Sequence, residues 1–256
     1  MHRPDSAPAL LVIAHGSRDP RHAATVHALV ARVRAMRPGL TVATGFLEFN
    51  LPSVTCALES LAAQGVREVV AQPLLLNRAY HAKSDIPTVL RRAPARLDVR
   101  QAAVLGPSPL LVTALERRLG EAGVRPGQRA STGVVLAAAG STDPEAIEVT
   151  GALARQWQRD GWYAVRPAFA AGTGRRTDVP DTATAVRRLR AEGARRIAVA
   201  RYVLAPGFLP DRIARGAAEA GAEVLAEVLG PAPEVAQVLL RRYDAACAPA
   251  VTALGA

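Results

Sequence analysis

Aromatic residues are scarce, at 4% of the 256 residues. A surface that binds single strands of nucleic acid by stacking needs exposed rings. The composition speaks against one, and it leaves the core to aliphatic side chains and alanine. Lysine is scarcer still: Lys83 is the single lysine among 32 basic residues. The net charge of +10 is therefore carried by arginine, and it is spread over both halves with no basic tail or block. That balance suits an acidic small molecule. A role on DNA would need a basic face or a recognised motif, and neither is present. There are 2 cysteines, Cys56 and Cys247, in helical patterns of different halves. This excludes a disulfide framework and a CxxC metal pair, and it fits a reducing, cytoplasmic compartment. No apolar run approaches roughly 18 residues, and no apolar stretch precedes Asp5, so neither a membrane-spanning helix nor a signal peptide is expected.

What is plentiful is hydrophobic residues, at 50% of the chain. The length suits two domains of roughly 100–150 residues or one large one. Short continuous apolar runs alternate with longer segments of 3.6-residue period. Strands are expected at Leu10–Ala14, Leu40–Leu47, Val66–Leu76 and Leu97–Leu105. The helices between and after them are expected at Asp19–Met36, Leu51–Gln64, Lys83–Arg92 and Pro109–Ala122. After a linker at 123–128 the pattern restarts. Strands are expected at Thr132–Ala139, Tyr163–Ala170, Arg196–Leu204 and Ala222–Leu229. Helices are expected at Pro144–Arg159, Thr182–Glu192, Asp211–Ala220 and Pro233–Ala246. Continuous apolar strands separated by helices indicate parallel sheets covered on both faces. The expected domains are residues 1–124 and 129–247, with a tail at 248–256.

The halves are related by more than order. Ala14-His15-Gly16-Ser17-Arg18-Asp19-Pro20 aligns with Ala138-Ala139-Gly140-Ser141-Thr142-Asp143-Pro144. Leu61–Val70 aligns with Leu189–Ala198, and Leu105-Gly106-Pro107-Ser108-Pro109 with Leu229-Gly230-Pro231-Ala232-Pro233. Three matches in one order indicate an internal duplication, hence two similar lobes with a cleft between them.

The copies differ where chemistry would sit. His15 corresponds to Ala139. His81, in Leu76-Asn77-Arg78-Ala79-Tyr80-His81, corresponds to Leu209, in Leu204-Ala205-Pro206-Gly207-Phe208-Leu209. Glu48, at the end of the second strand, faces Ala170-Ala171-Gly172, which has no carboxylate. Imidazole and carboxylate are good ligands for divalent first-row metals. His15, Glu48 and His81 follow strands one, two and three of a parallel sheet, where open α/β sheets bind ligands. Two histidines and a glutamate leave positions open on a metal that must be accepted or handed on. His22 and His27 are five apart on a helix, point in different directions, and read as surface or packing residues. Asp19 and Asp85 read as helix caps. Arg18, Arg21, Arg78 and Lys83 flank the two histidine turns and are candidates for pairing with substrate carboxylates.

The turn His15-Gly16-Ser17-Arg18-Asp19-Pro20 resembles that of the class II chelatases of the CbiX/SirB type, the sirohydrochlorin chelatases. So do Gly45-Phe46-Leu47-Glu48 followed by Pro52-Ser53, and Pro73-Leu74-Leu75-Leu76 followed by His81 and Asp85-Ile86-Pro87. The resemblance covers both halves and is to the long, duplicated form. It implies an α/β fold of two chelatase-like lobes, each a four-stranded parallel sheet flanked by helices. It also implies insertion of Fe²⁺ or Co²⁺ into sirohydrochlorin, toward sirohaem or a cobalamin-type product. His15 and His81 would be the metal ligands and catalytic groups, with Glu48 assisting. No organic cofactor is implied, the metal is substrate, and Ni²⁺ shares the same ligand preferences. With both lobes in one chain, a monomer is expected. Two departures are Ala79, where the family has glycine two residues before the second histidine, and the loop Glu48-Phe49-Asn50-Leu51-Pro52-Ser53. A non-catalytic metal or tetrapyrrole carrier would use the same ligands. A phosphate or nucleotide binder using Gly16-Ser17 at a helix start would not explain why the three residues are confined to one half, and it lacks the usual glycine-rich fingerprint.

Overall fold

The computed structural model describes residues 7–77, 85–171 and 179–248. The first half runs β1 (Ala9–Ala14), α1 (Pro20–Met36), β2 (Val42–Phe46), α2 (Val54–Ala63), β3 (Glu68–Pro73), α3 (Ile86–Leu90), β4 (Asp98–Gln101) and α4 (Pro109–Glu121). A 3-10 turn, Pro126–Ser131, leads into the second half. That half runs β5 (Thr132–Ala138), α5 (Pro144–Gln158), β6 (Ala164–Phe169), α6 (Thr182–Ala191), β7 (Arg196–Tyr202), α7 (Phe208–Glu219), β8 (Val224–Leu225) and α8 (Pro233–Cys247).

Each half forms a four-stranded sheet, in the orders β2-β1-β3-β4 and β6-β5-β7-β8. Every pairing is parallel. The central strand β1 is buried along its whole length, and so is β5. Both read as continuous apolar runs because helices cover both faces of each sheet. In both lobes the order reverses beside the first strand, so the crevice expected to take a ligand lies at the tips of β1 and β3 and, by repetition, of β5 and β7.

The duplication reaches single hydrogen bonds. Asp19 caps α1 by accepting from Arg21 N, as Asp143 caps α5 by accepting from Glu145 N. Val66 N donates to Leu61 O at 3.1 Å after α2, and Ala194 N donates to Leu189 O at 3.1 Å after α6. The reversal at both places turns on a glycine in the left-handed region, Gly65 at φ 81° and Gly193 at φ 98°. L side chains disfavour that conformation and glycine does not.

The lobes share one core. A single buried cluster joins Leu10, Val30 and Leu115 of the first lobe to Val134, Trp157 and Leu239 of the second. Two further clusters fill the outer faces, one under α2 and α3 and one under α6 and α7. Polar contacts cross the same interface in matched pairs. Arg118 Nη2 donates to Leu229 O at 3.1 Å, and its counterpart Arg242 Nη2 donates to Leu105 O at 3.2 Å. Each lobe's last helix thus holds the chain that follows the other lobe's fourth strand. Arg117 donates to the buried carboxylate of Glu234, and Tyr243 Oη donates to Pro8 O at 2.6 Å.

Several element bounds differ from the sequence reading. The fourth strands are short, four residues in β4 and two in β8. The apolar residues that follow, Ala102 and Leu105 in one lobe and Ala226 and Leu229 in the other, are buried in the shared core as extended chain. α2 starts at Val54 because the Ser53 side chain accepts from Cys56 N, which leaves 51–53 in the preceding loop. α7 starts at Phe208, ahead of Asp211. Pro210 is tolerated there because first-turn amides have no helical acceptor. Among the described residues, no helix is long and apolar enough to cross a membrane.

Candidate functional site

The turn after β1 is built by hydrogen bonds to the turn after β2. Leu47 N donates to Ala14 O at 3.0 Å and Glu48 N donates to His15 O at 2.9 Å, carrying the ladder past the strand ends. Ser17 N then donates to Asn50 Oδ1 at 2.8 Å. Gly16 has φ 97°, and a Cβ there would fall 1.8 Å from Glu48 O. Glycine is thus required twice, for the conformation and for the close approach. The two turns form one rigid unit that presents His15, half-buried, beside Glu48, exposed.

The helix start completes this unit. Ser17 Oγ accepts from Asp19 N at 3.1 Å, and Asp19 Oδ1 accepts from Arg21 N at 2.9 Å. The Arg21 side chain and its amide together hold the Asp19 carboxyl below the usual carboxylate range. The Arg21 guanidinium also reaches Asp211 on α7, in the other lobe, at 2.6 Å. Its charge is therefore shared between two carboxylates. Arg18 is exposed, and its guanidinium lies 5.2 Å from the centre of the Phe49 ring, within cation–π range.

The second lobe repeats the scaffold without the chemistry. Ala171 N donates to Ala139 O at 2.7 Å, and Ser141 Oγ accepts from Asp143 N at 3.0 Å. Gly140 has φ 106° and faces the backbone of Ala171. Ala139 and Leu209, the counterparts of His15 and His81, pack against that lobe's apolar cluster.

Among the candidates, the structure brings His15 and Glu48 to adjacent tips, with Arg18 and Arg21 on the same turn. His81, Arg78 and Lys83 lie outside the described residues, in 78–84, which follow β3 on the other side of β1. Among the described residues, no three His, Cys, Asp or Glu side chains gather as a metal-binding group. Asp19 caps its helix, while Asp85 makes no side-chain cap hydrogen bond.

Three residues near the site were not singled out by sequence. Asn50 ties the two turns together. Phe49 is the one non-glycine residue with positive φ, 60°, among the described residues, a conformation that is an outlier for a bulky side chain. His22 is half-buried in the first turn of α1. Burial lowers its pKa, and the nearby His15 lowers it further. Its place in the first turn of the helix that follows β1 sets these surroundings. His27 is exposed and meets the Phe46 ring edge-on at 5.7 Å.

The CbiX family model matches the chain twice, over residues 9–122 and 133–246. A sirohydrochlorin cobaltochelatase of Priestia megaterium is 26% identical over 211 residues, which is 80% of this chain and 67% of the relative. A sirohydrochlorin ferrochelatase of Bacillus subtilis is 31% identical over 147 residues, 56% of this chain and 55% of the relative. The chain thus spans from about half to two thirds of the curated relatives it matches. The solved structure of SirB from Bacillus subtilis with Fe³⁺ superposes with a TM-score of 0.81 at 25% identity, covering 94% of this chain and 96% of that one. Two family matches in tandem, over two copies of one four-stranded lobe, make the chain a duplicated member of the CbiX family.

Proposed function

We propose that the protein inserts a divalent metal, Fe²⁺ or Co²⁺, into sirohydrochlorin. Residues 1–124 form the lobe that carries the chemistry, residues 129–247 form a lobe that supports it, and residues 248–256 are a tail. The observation that carries this reading is the asymmetry of the repeat. One backbone scaffold occurs twice, with His15 and Glu48 on one copy, while the second copy has Ala139 packed into an apolar cluster. Packing alone gives no reason for that difference.

Insertion requires the metal to shed water and two pyrrole N–H protons to leave. Neutral imidazole serves both needs near pH 7, as a ligand and as a proton acceptor. His15 and His81 share these tasks in this reading, and Glu48 completes the metal site or carries protons away. The assignment of His81 rests on its position in sequence after β3. The substrate is flat and bears many carboxylates, which suits Arg18, Arg21, Arg78 and Lys83 around the tips. Arg21 is already paired with Asp19 and Asp211, whereas Arg18 lies exposed against the Phe49 ring. No organic cofactor is needed. The reading places the protein in the cytoplasm as a monomer, with no nucleic-acid or membrane partner.

The test is to mix purified protein with sirohydrochlorin and Co²⁺ or Fe²⁺ and follow the absorbance change of the macrocycle. The wild type is expected to exceed the metal-only rate, and His15→Ala to fall back to it. Full activity in that variant would refute the assignment. Stoichiometric metal or macrocycle uptake without turnover would show a carrier instead.

A further inference from the structure

Aromatic side chains are costly to leave in water, and this chain has only 4 phenylalanines. Phe46 and Phe169 are buried. Phe49 is 56% exposed and Phe208 is 74% exposed. Both exposed rings belong to elements that touch the same turn. Phe49 lies between Glu48, whose amide donates to His15 O, and Asn50, whose side chain accepts from Ser17 N. Phe208 opens α7 in the other lobe. A Cβ on the preceding Gly207 would lie 3.9 Å from Ser17 Oγ. The Arg21–Asp211 contact pins that end of α7 to the start of α1.

Phe49 is moreover held outward against its own backbone preference, at φ 60°. The hydrogen bonds at Glu48 and Asn50 on either side impose that conformation. Its ring face is lined by the Arg18 guanidinium at 5.2 Å. An aromatic ring beside a cation, next to the metal-capable tips, matches a ligand that is itself a conjugated plane with carboxylates at its edge.

We propose that Phe49 and Phe208 are binding residues for the macrocycle. They offer their rings to its conjugated face from opposite lobes, while Arg18, stacked on Phe49, meets a peripheral carboxylate. This rests on the reading of the protein as a sirohydrochlorin chelatase and deepens it by naming the groups that grip the organic substrate. Ring stacking of this kind orients a flat ligand over the metal-binding tips before any metal arrives.

The experiment titrates sirohydrochlorin, without metal, into the full-length protein and follows its absorbance, then measures insertion kinetics. Phe49→Gly is the informative variant, because glycine accepts the left-handed backbone and the turn loses the ring with no strain added. Phe49→Gly and Phe208→Ala are each expected to raise the dissociation constant about 3- to 10-fold. Both should raise KM for the macrocycle with KM for the metal unchanged, and Phe49→Tyr should restore wild-type binding. Unchanged macrocycle affinity in both variants, with a wild type that binds and inserts, overturns the proposal and leaves the chelatase reading intact. A wild type that neither binds nor metallates sirohydrochlorin overturns the chelatase reading itself. A concentration-dependent dimer that dissociates in the variants, with macrocycle affinity unchanged, also overturns the proposal and assigns the rings to self-association.

Discussion

Gly16→Ala must place a methyl group where the Glu48 carbonyl already sits, on a backbone at φ 97°. The clash is with main chain, which has no rotamer to change. The variant is expected to lose on the order of 2 kcal/mol of stability or more, read from the midpoint of urea unfolding. It should also separate His15 from Glu48 and slow metal insertion more than the stability loss accounts for. The importance of this turn was legible from residue order alone, since His15-Gly16-Ser17 follows an apolar strand and recurs without its histidine at Ala139-Gly140-Ser141. Phe49 and Asn50 were not legible. Their roles depend on how two loops far apart in sequence bond to each other, and no local pattern encodes that. His22 was set aside on helical angle, whereas nearness to the strand tip is what decides its environment.

Among the elements, helix starts carry much of the local specification. Asp181 precedes α6 and accepts from Thr184 N at 2.8 Å, which is the main reason its pKa is lowered from 3.8. A carboxylate stabilised in the folded state contributes stability above its unfolded pKa and loses it as the pH falls through its lower folded pKa. Asp181→Ala is therefore expected to cost about 1 kcal/mol at pH 7. The difference from wild type should shrink in acid, as measured by unfolding at both pH values. The cap at Asp19 was readable because its signal is local, whereas Asp85, read the same way, makes no side-chain cap hydrogen bond. The ends of β4 and β8 were not readable. Their apolar runs continue into the shared core, and single backbone bonds such as Ala102 N to Ala71 O and Ala226 N to Val199 O, both at 2.9 Å, carry on past the last ladder pair, so neither hydrophobicity nor burial marks where the strand ends.

On the scale of the whole molecule, the order and repetition of the elements were evident in the sequence, but the depth of the contact between lobes was not. Periodicity marks which residues are buried and is silent on what buries them. The first lobe's inner face, with Val26, Leu111 and Leu115, and the second lobe's, with Leu153, Val235 and Leu239, belong to one cluster. Residues 1–128 or 129–256 produced alone would expose half of it, and each is expected to aggregate. The two produced together should reassociate and elute at the size of the intact chain in gel filtration.

The paired contacts of Arg118 and Arg242 also constrain how that interface can move. Each guanidinium grips a carbonyl in the chain just past the opposite lobe's fourth strand, and the two grips are related by the repeat. Rotation about an axis through one of them stretches the other, so the lobes have no free edge on which to swing. Parting the lobes requires both latches to release together.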